Sequence, residues 1–281
     1  MSGIDIVDNS FDKNITTSYF LSIQVSLDGL SFSVLDPVRN TYVLFRHIKF
    51  AKKDKNYVKT QEHLITDPVL NYDYKRVYVL FNTAKATLVP NALFNSDKAE
   101  DVISFSMRVK ENSHKTVKRK IRLADVWDIY TIPDYLYYLI KSQYRNVLFF
   151  QQYIPMIEAN LMSGVVDDDP VMYINLQKDI FDVIILKRYE LMFCNSFRYV
   201  NSAEFTYYTL NVIKQLELDQ KKLKVLVSGI SLHDGECISL LGRYVRNVRF
   251  AASPKQFEFS SGFRNVRTEE FYNLLSLPLC V

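Results

Sequence analysis

The stretch FLSIQVSLDGLSFSV, residues 20–34, predicts two β-strands joined by a tight turn. Apolar and polar residues alternate along its first part, which is the period of a strand that buries one face. Asp28 and Gly29 follow, and this dipeptide is favoured in the two-residue turn of a β-hairpin. The alternation then resumes as far as Val34, and a third strand is predicted at 41–45 after a turn at 36–40. The stretch therefore predicts a hairpin that is followed by a third strand.

The same order of elements recurs in the second half of the chain. In the first half a helix at 57–65 follows the three strands, and then a continuously apolar strand at 77–81, as expected when a strand is buried on both faces. In the second half Asn201 can cap a helix with Glu204 three residues later. The elements predicted there are strands at 171–176, 181–186, 191–197, 224–228 and 247–250, and helices after Asn201, at 236–244 and at 268–275.

Three strands, a helix, a strand, a helix, a strand and a helix form the order of a ribonuclease-H-like unit. Two such units in tandem predict the actin-like ATPase architecture, an α/β fold with mixed sheets in which two subdomains flank a cleft. The predicted division is a flexible lead-in at 1–17, a first subdomain with insertions at 18–163 and a second subdomain at 164–281. The alternative is a large α/β chain in which the matching runs occur by chance.

The first half carries additional segments before its last predicted helix. A proline-containing stretch covers 86–94, and Asp97 with Glu100 can cap a short helix. Residues 107–123 predict a polar hairpin or loop, and Pro133 begins an aromatic helix. These segments predict an insertion in the first subdomain.

Composition limits the classes of function. The 35 basic and 31 acidic residues give a net charge of +4, which is too small to require nucleic acid as a partner. Glycine occurs 7 times, although loops that wrap phosphates need glycine for close backbone approach. The three widely spaced cysteines, Cys194, Cys237 and Cys280, predict no disulfide framework and favour the cytoplasm. No apolar run reaches 18 residues and the first 18 residues lack an apolar signal region, so neither a membrane span nor a secretory signal is predicted.

Three stretches carry a resemblance to a known family: 21–34, 87–94 with the sequence TLVPNALF, and 224–250. From Phe20 to the C-terminus the chain resembles an uncharacterised bacterial protein family with the actin-like ATPase fold. It is more distantly similar to actin-like components of pilus assembly and secretion machines, some of which act as scaffolds. The resemblance implies a fold, and no activity comes with it.

The resemblance also implies where a nucleotide would bind. In the actin-like superfamily the first hairpin of each half wraps the phosphates, with an acidic residue near the end of its first strand and a glycine two residues later. Gln24 and Ser26 occupy these two positions in the first half, and Asn175 and Gln177 occupy them in the second. Amides bind water but lack the charge that holds magnesium well. Asp28 and Asp179 lie near the hairpin tips and are interpreted as turn residues, although a register shift of a few residues would return one of them to the acidic position.

The nucleoside side of such a site would follow the strand at 224–228. Ser228 and Gly229 stand at the turn after this strand, and Gly235 lies further on. The same pattern is common in plain strand-to-helix connections of α/β proteins. The segment from His233 to Cys237 gathers residue types that can bind metals, but it fits the polar start of a helix better. No catalytic or metal-binding residue is therefore predicted.

Three functions follow as hypotheses. The favoured one is a non-catalytic actin-like domain, with a degenerate nucleotide cleft, that binds an unidentified protein partner and needs no cofactor. The second is a nucleotide-binding ATPase or sugar-kinase-like enzyme that uses Ser228 and Gly229 for the nucleoside, and Gln24 or Asn175 through water. The third is a nucleic-acid binder that uses the basic run of Lys115, Lys118, Arg119, Lys120 and Arg122. For that run, a solvated hairpin edge protected from aggregation by its charge is the preferred interpretation.

Overall fold

The computed structural model describes residues 3–51, 57–107, 113–163, 168–229 and 236–280. Its strands are β1 Ile4–Val7, β2 Phe20–Val25, β3 Gly29–Asp36, β4 Thr41–Lys49, β5 Arg76–Phe81, β6 Ala86–Pro90, β7 His114–Ile121, β8 Val126–Pro133, β9 Val147–Gln151, β10 Val171–Leu176, β11 Ile180–Lys187, β12 Glu190–Arg198, β13 Lys224–Ser228, β14 Asn247–Phe250 and β15 Glu258–Phe259. Its α-helices are α1 Val58–Thr66, α2 Ala99–Met107, α3 Asp134–Gln143, α4 Ile154–Met162, α5 Ser202–Gln215, α6 Cys237–Leu241 and α7 Tyr272–Ser276.

The first sheet has the strand order β1-β4-β3-β2-β5-β9, and β15 also pairs with β4. The predicted hairpin is present, because β2 pairs with β3 in antiparallel orientation and with β5 in parallel orientation. Every residue of β3 is buried, and so are the last five of β5. This burial explains why β5 is continuously apolar and why the parallel pairing is found in the interior of the sheet.

The second sheet repeats this order as β12-β11-β10-β13-β14. Each half thus begins with a meander of three antiparallel strands, β2–β4 in the first half and β10–β12 in the second. In each half the first strand of the meander lies between its second strand and the strand that follows the helix, which is β5 or β13. The predicted cap of α5 is confirmed, since the Asn201 side chain accepts a hydrogen bond from the Glu204 amide at 2.9 Å. The predicted mixed α/β architecture with several sheets is confirmed.

The insertion forms a third sheet with the order β6-β8-β7. Of the predicted polar hairpin or loop at 107–123, the part from His114 onward is the first strand of a hairpin, because β7 pairs with β8 along its whole length. The second strand, β8, extends beyond the predicted bounds, and 108–112 lie outside the described residues. The predicted cap at Asp97 is wrong: the Asn95 side chain accepts a hydrogen bond from the Asp97 amide at 2.9 Å. Helix α2 then begins after a 3₁₀ turn at Ser96–Lys98.

The N-terminal residues are more ordered than the sequence predicts. Ile4–Val7 forms β1 and pairs with β4 in antiparallel orientation, so these residues are not a flexible lead-in. Ile4 and Ile6 pack on the main hydrophobic core, which gives this strand its apolar face. The division at residue 163 stays a prediction, and residues 164–167 of the expected linker lie outside the described part.

The C-terminal segment lies against the first sheet. The predicted helix at 268–275 forms as a 3₁₀ turn, Thr268–Phe271, followed by α7. Leu274 and Leu275 are fully buried in the core that contains Tyr42, and the Tyr42 hydroxyl donates a hydrogen bond to the Leu275 carbonyl at 2.6 Å. The C-terminal helix α7 thus covers one side of the core of the first sheet.

Candidate functional site

A cleft of about 250 Å³ lies where the two halves meet. The tips of both meanders reach it, and so do the residues that follow β5. Its lining consists of 26–28, Tyr57, 82–85, His114, Thr131, Pro133, 177–180 and Arg198. Two of the predicted nucleotide-binding residues, Ser26 and Gln177, are therefore brought together in one cleft although 151 positions separate them in the sequence.

In the first hairpin, the polar side chain of Ser26 forms hydrogen bonds within the turn. The Ser26 hydroxyl lies 2.8 Å from the Asp28 carboxylate and 2.9 Å from the Gly29 carbonyl. Gln24 is 3% exposed on β2, in register with Ser31 and Leu80 of the flanking strands, and does not line the cleft. The residue at the predicted acidic position of this half therefore lies beneath the cleft.

In the second half, side-chain amides form a chain of hydrogen bonds. The Asn82 amide, just after β5, donates to the Gln177 side-chain oxygen at 3.2 Å. Gln177 donates to the Asn175 side-chain oxygen at 3.0 Å, and Asn175 donates to a carboxylate oxygen of Asp182 at 2.8 Å. Since all four residues are buried, this amide chain joins the two halves at the floor of the cleft.

Asp182 ends the amide chain and is fully buried on β11. Its other carboxylate oxygen accepts hydrogen bonds from the Gln152 amide at 2.7 Å and from the Ser196 hydroxyl. Burial raises the pKa of Asp182 to about 6, although the hydrogen bonds from Ser196, Asn175 and Gln152 oppose that rise because they stabilise the charged form. The carboxylate is thus surrounded by neutral donors.

Sequence reasoning missed Asp182, for a reason that lies in the hairpin. Asn175 and Asp182 are register partners across β10 and β11, so the acid stands opposite the predicted position rather than on it. The available signal was a single acid inside the apolar run FDVIIL, residues 181–186. Because a charged group in a buried strand needs a polar partner, this signal could have predicted that Asp182 has hydrogen-bond partners in the interior.

Ser228 and Gly229 do not line the cleft. Gly229 has a φ of +115°, and its amide donates to the Glu269 carbonyl at 3.1 Å. A Cβ atom at this position would lie 2.2 Å from the Leu176 carbonyl oxygen, so glycine is required by chain packing at the end of β10. Ser228 is fully buried in register with Asn175. Residues 230–235, including His233, Asp234 and Gly235, lie outside the described part.

The basic run is divided between two faces of β7. Lys118 lies 2.9 Å from the Ser96 hydroxyl, and Lys120 lies 3.5 Å from Asp125. Arg119, on the opposite face, donates to the Cys280 carbonyl at 2.7 Å and stands 3.8 Å from the centre of the Phe150 ring. Lys115 shares the face of Arg119, while Arg122 follows the strand in a 3₁₀ turn. The strand geometry therefore does not gather these five cations into one basic surface.

The cleft combines both signs of charge at its rim. Lys85, Lys178 and Arg198 line it together with Asp28 and Asp179. Across the described residues, no group of three histidine, cysteine, aspartate or glutamate side chains is placed to hold a metal ion. Nor does any helix in the described ranges have the length and apolar character needed to cross a membrane.

Comparisons with known proteins agree with the fold. A Bacteroides thetaiotaomicron protein with actin-like ATPase fold and unknown function superposes with a TM-score of 0.80 at 24% identity, covering 86% of this chain and 94% of that one. The PilM–PilN type IV pilus biogenesis complex gives a TM-score of 0.56 at 12% identity, over 92% of this chain and 97% of that one. Comparison with curated protein sequences gave no match.

The sequence itself matches a family over most of its length. Residues 8–248 match the family described as protein of unknown function, DUF3822. The predicted actin-like ATPase fold is confirmed by the first of the structural neighbours. The chain therefore belongs to the DUF3822 family and has an actin-like ATPase fold.

Proposed function

We propose that this protein is a non-catalytic actin-like domain that acts as a protein-interaction or scaffold module. The observation that carries the proposal is the amide chain from Asn82 through Gln177 and Asn175 to Asp182. Within this amide chain, the polar side chains beneath the second hairpin form hydrogen bonds with one another. An oxygen-rich magnesium site needs carboxylates that face the ligand, whereas Asp182 is fully buried among neutral donors.

Protein binding is supported by one structural neighbour. The PilM–PilN complex shows that a protein of similar fold assembles with another protein. The cytoplasm is the proposed location, supported by three cysteines that are free thiols among the described residues. A bacterial origin is likewise proposed, in line with the Bacteroides neighbour.

A second candidate is supported by the rim of the cleft. Lys85, Lys178 and Arg198 line a volume that suits a small anion or part of a nucleotide. Cations and backbone amides can hold phosphate oxygens without a metal ion. In this alternative a nucleotide would be a bound ligand, and the chain would not turn it over.

The test of the proposed function is phosphate release from ATP in the presence of magnesium. The purified full-length chain is expected to release no more phosphate than a buffer blank, while an active ATPase in a parallel reaction confirms the assay. Phosphate release that rises in proportion to protein concentration, and that disappears in EDTA, would contradict the non-catalytic proposal.

A further inference from the structure

The tips of the two hairpins present different side chains to the cleft. The first tip is the two-residue turn Leu27–Asp28, in which the amide of the residue before the turn donates to the carbonyl of the residue after it at 3.1 Å. The second tip is the turn Lys178–Asp179, closed by the same kind of hydrogen bond at 2.9 Å. All four residues line the cleft, and Leu27 and Lys178 are exposed. An apolar and a cationic side chain thus occupy the first position of the two turns.

Two further cations line the cleft from neighbouring elements. Lys85 follows β5, and its carbonyl accepts a hydrogen bond from the Thr131 amide at 3.2 Å, which holds this segment beside β8. Arg198 is the last residue of β12 and pairs in register with Ile180, directly after the second tip. Three cations therefore reach one cleft from three separate segments of the chain.

These three cations lack acidic partners. Across the described ranges, none of them forms an ion pair. Asp28, one of the two acids that line the cleft, lies 2.8 Å from the Ser26 hydroxyl. Lys85 is near His114, and the pKa of that imidazole is lowered by burial and by the charge of Lys85. Cations that converge on a cleft without acidic partners favour an anionic ligand.

Apolar and aromatic side chains lie beside these cations. Leu27 is 43% exposed at the first tip, and Tyr135 is 48% exposed at the start of α3. Tyr135 is near Tyr57, a residue that lines the cleft and whose pKa is raised to about 12 by burial first and by Tyr135 second. A ligand that covers this surface needs apolar groups next to its negative charges.

The size and position of the cleft favour part of a protein chain over a whole nucleotide. Its volume of about 250 Å³ is below the roughly 300–1,000 Å³ that is typical of small-molecule pockets. Its lining extends to His114 and Thr131 of the inserted sheet, and does not include Ser228 or Gly229 of the predicted nucleoside side. Tyrosine and arginine, both present here, are enriched in the contact surfaces between proteins. An acidic peptide can place carboxylates on the cations and an apolar side chain on the tyrosines.

We propose that the cleft binds an acidic segment of a partner protein, in which carboxylates flank an apolar side chain. The carboxylates contact Lys85, Lys178 and Arg198, and the apolar side chain packs between Leu27 and Tyr57. This inference rests on the proposed function as a protein-interaction module, because it names the class of partner and the surface that binds it.

Selection from a library of random peptides displayed on phage, with the purified full-length chain as the target, tests the proposal. The enriched peptides are expected to carry several aspartates or glutamates next to a leucine or an aromatic residue. A labelled peptide of the most enriched sequence should bind in fluorescence anisotropy, and its affinity should fall as salt is added. A selection without enrichment, or enriched peptides without acidic residues, would overturn the proposal.

Charge reversal locates the binding surface. Lys178→Glu is expected to raise the dissociation constant of that peptide by about tenfold or more, because a like charge would face its carboxylates. The matched control is Lys187→Glu, an equal change of charge at an exposed position of the same hairpin, at the end of β11 far from the cleft. It is expected to change the dissociation constant by less than about twofold. Thermal melting of both variants identifies any loss of fold, and equal weakening by the two would contradict binding in the cleft.

Failure of this inference differs from failure of the proposed function. If no acidic peptide binds and the chain releases no phosphate from ATP, the inference is wrong and the non-catalytic proposal stands. If phosphate release depends on magnesium and on protein concentration, the proposed function is wrong by its own test. If ATP binds to Lys178 and Arg198 while no acidic peptide is enriched, the cations serve a nucleotide and the inference is overturned.

Discussion

Gly229 shows how a residue that resembles a ligand-binding signal is explained by packing. Its φ of +115° is rarely adopted by other residues, and the Leu176 carbonyl occupies the space where a side chain would begin. The sequence pattern of a strand ending in Ser-Gly could predict the turn, but it could not show what approaches the glycine. In the structure this neighbour is Leu176 at the end of β10.

Replacing Gly229 by alanine is expected to lower the free energy of unfolding by about 2–4 kcal/mol, because backbone strain and overlap with Leu176 both oppose the folded state. Urea denaturation followed by circular dichroism measures this change. The matched control is Gly242→Ala, since Gly242 has a helical φ of −62° and a change of less than about 1 kcal/mol is expected there. Equal effects at the two glycines would show that the contact with Leu176 is not decisive.

Asp128, like Asp182, is a carboxyl group whose pKa is raised by burial. It is fully buried on β8, accepts a hydrogen bond from the Tyr153 hydroxyl at 2.6 Å, and has a pKa raised to about 8, chiefly by burial. In the unfolded chain its pKa is near the ordinary value of 3.8. Between these two values the folded state keeps a proton that the unfolded state releases, so the contribution of Asp128 to stability is lost as the pH rises.

The variant Asp128→Asn is expected to remove this pH dependence, because an amide keeps an oxygen for Tyr153 and does not titrate. The stability of the original chain should fall relative to the variant by on the order of 1 kcal/mol per pH unit from about pH 4 to about pH 8. Taking the difference between the two proteins at each pH removes the contributions of other groups, including Asp182. Parallel stability curves would mean that Asp128 is already ionised in the folded protein.

At the scale of elements, the two meanders were the part best predicted from sequence. The alternation in β2 and β3, the Asp28–Gly29 turn and the Asn201 cap are local signals, and each of them is found in the structure. Strands β8 and β9 and helix α4 were not predicted. For β7 the extent of the strand was not evident either, since a strand rich in lysine and arginine gains its stability from a neighbour that local sequence does not reveal.

The hairpin of β10 and β11 provides a direct test of the amide chain. Asn175→Asp would replace the donor that bonds to Asp182 by a second carboxylate. Above pH 7 we expect the free energy of unfolding to fall by about 2–4 kcal/mol, because two buried like charges would face each other. At pH 5 the loss should be smaller, since the pKa of Asp182 is about 6 and one carboxyl can then donate to the other.

Asn175→Ala is the matched control for that substitution. It removes the donor without adding a charge. Because that donor stabilises the charged form of Asp182, the cost of Asn175→Ala should also be larger at pH 8 than at pH 5, but the increase should be smaller than for Asn175→Asp. Denaturation of both variants at pH 5 and pH 8 separates charge repulsion from the loss of a hydrogen bond. If Asn175→Asp were as stable as the original chain at pH 8, the carboxylate would have another partner and the description of the amide chain would be wrong.

At the scale of the whole molecule, the two halves share one core. Tyr42 and Phe45 of the first sheet, Ile184 and Leu186 of the second, and Leu275 of the C-terminal helix belong to the same cluster of buried residues. The sequence could predict the repeated order of strands, because that order is written in local patterns. It could not predict that α7 packs on β2 and β3, since this contact joins segments more than 230 residues apart.

The same scale explains why the cleft was predicted only in part. Ser26 and Gln177 meet there as expected from the fold, but the partner that joins the halves is Asn82, at the end of a strand of the other half. We propose that these amides, bonded to one another, stand where a magnesium–nucleotide site would need acids.

Calorimetric titration of the chain with ATP, in magnesium and in EDTA, distinguishes buried amides from a working magnesium site. We expect magnesium not to increase the affinity: either no heat of binding is measured in both conditions, or the rim cations bind ATP with equal affinity in both. Binding that requires magnesium would contradict this expectation, because the described residues would then have to supply the acidic ligands that the amide chain lacks.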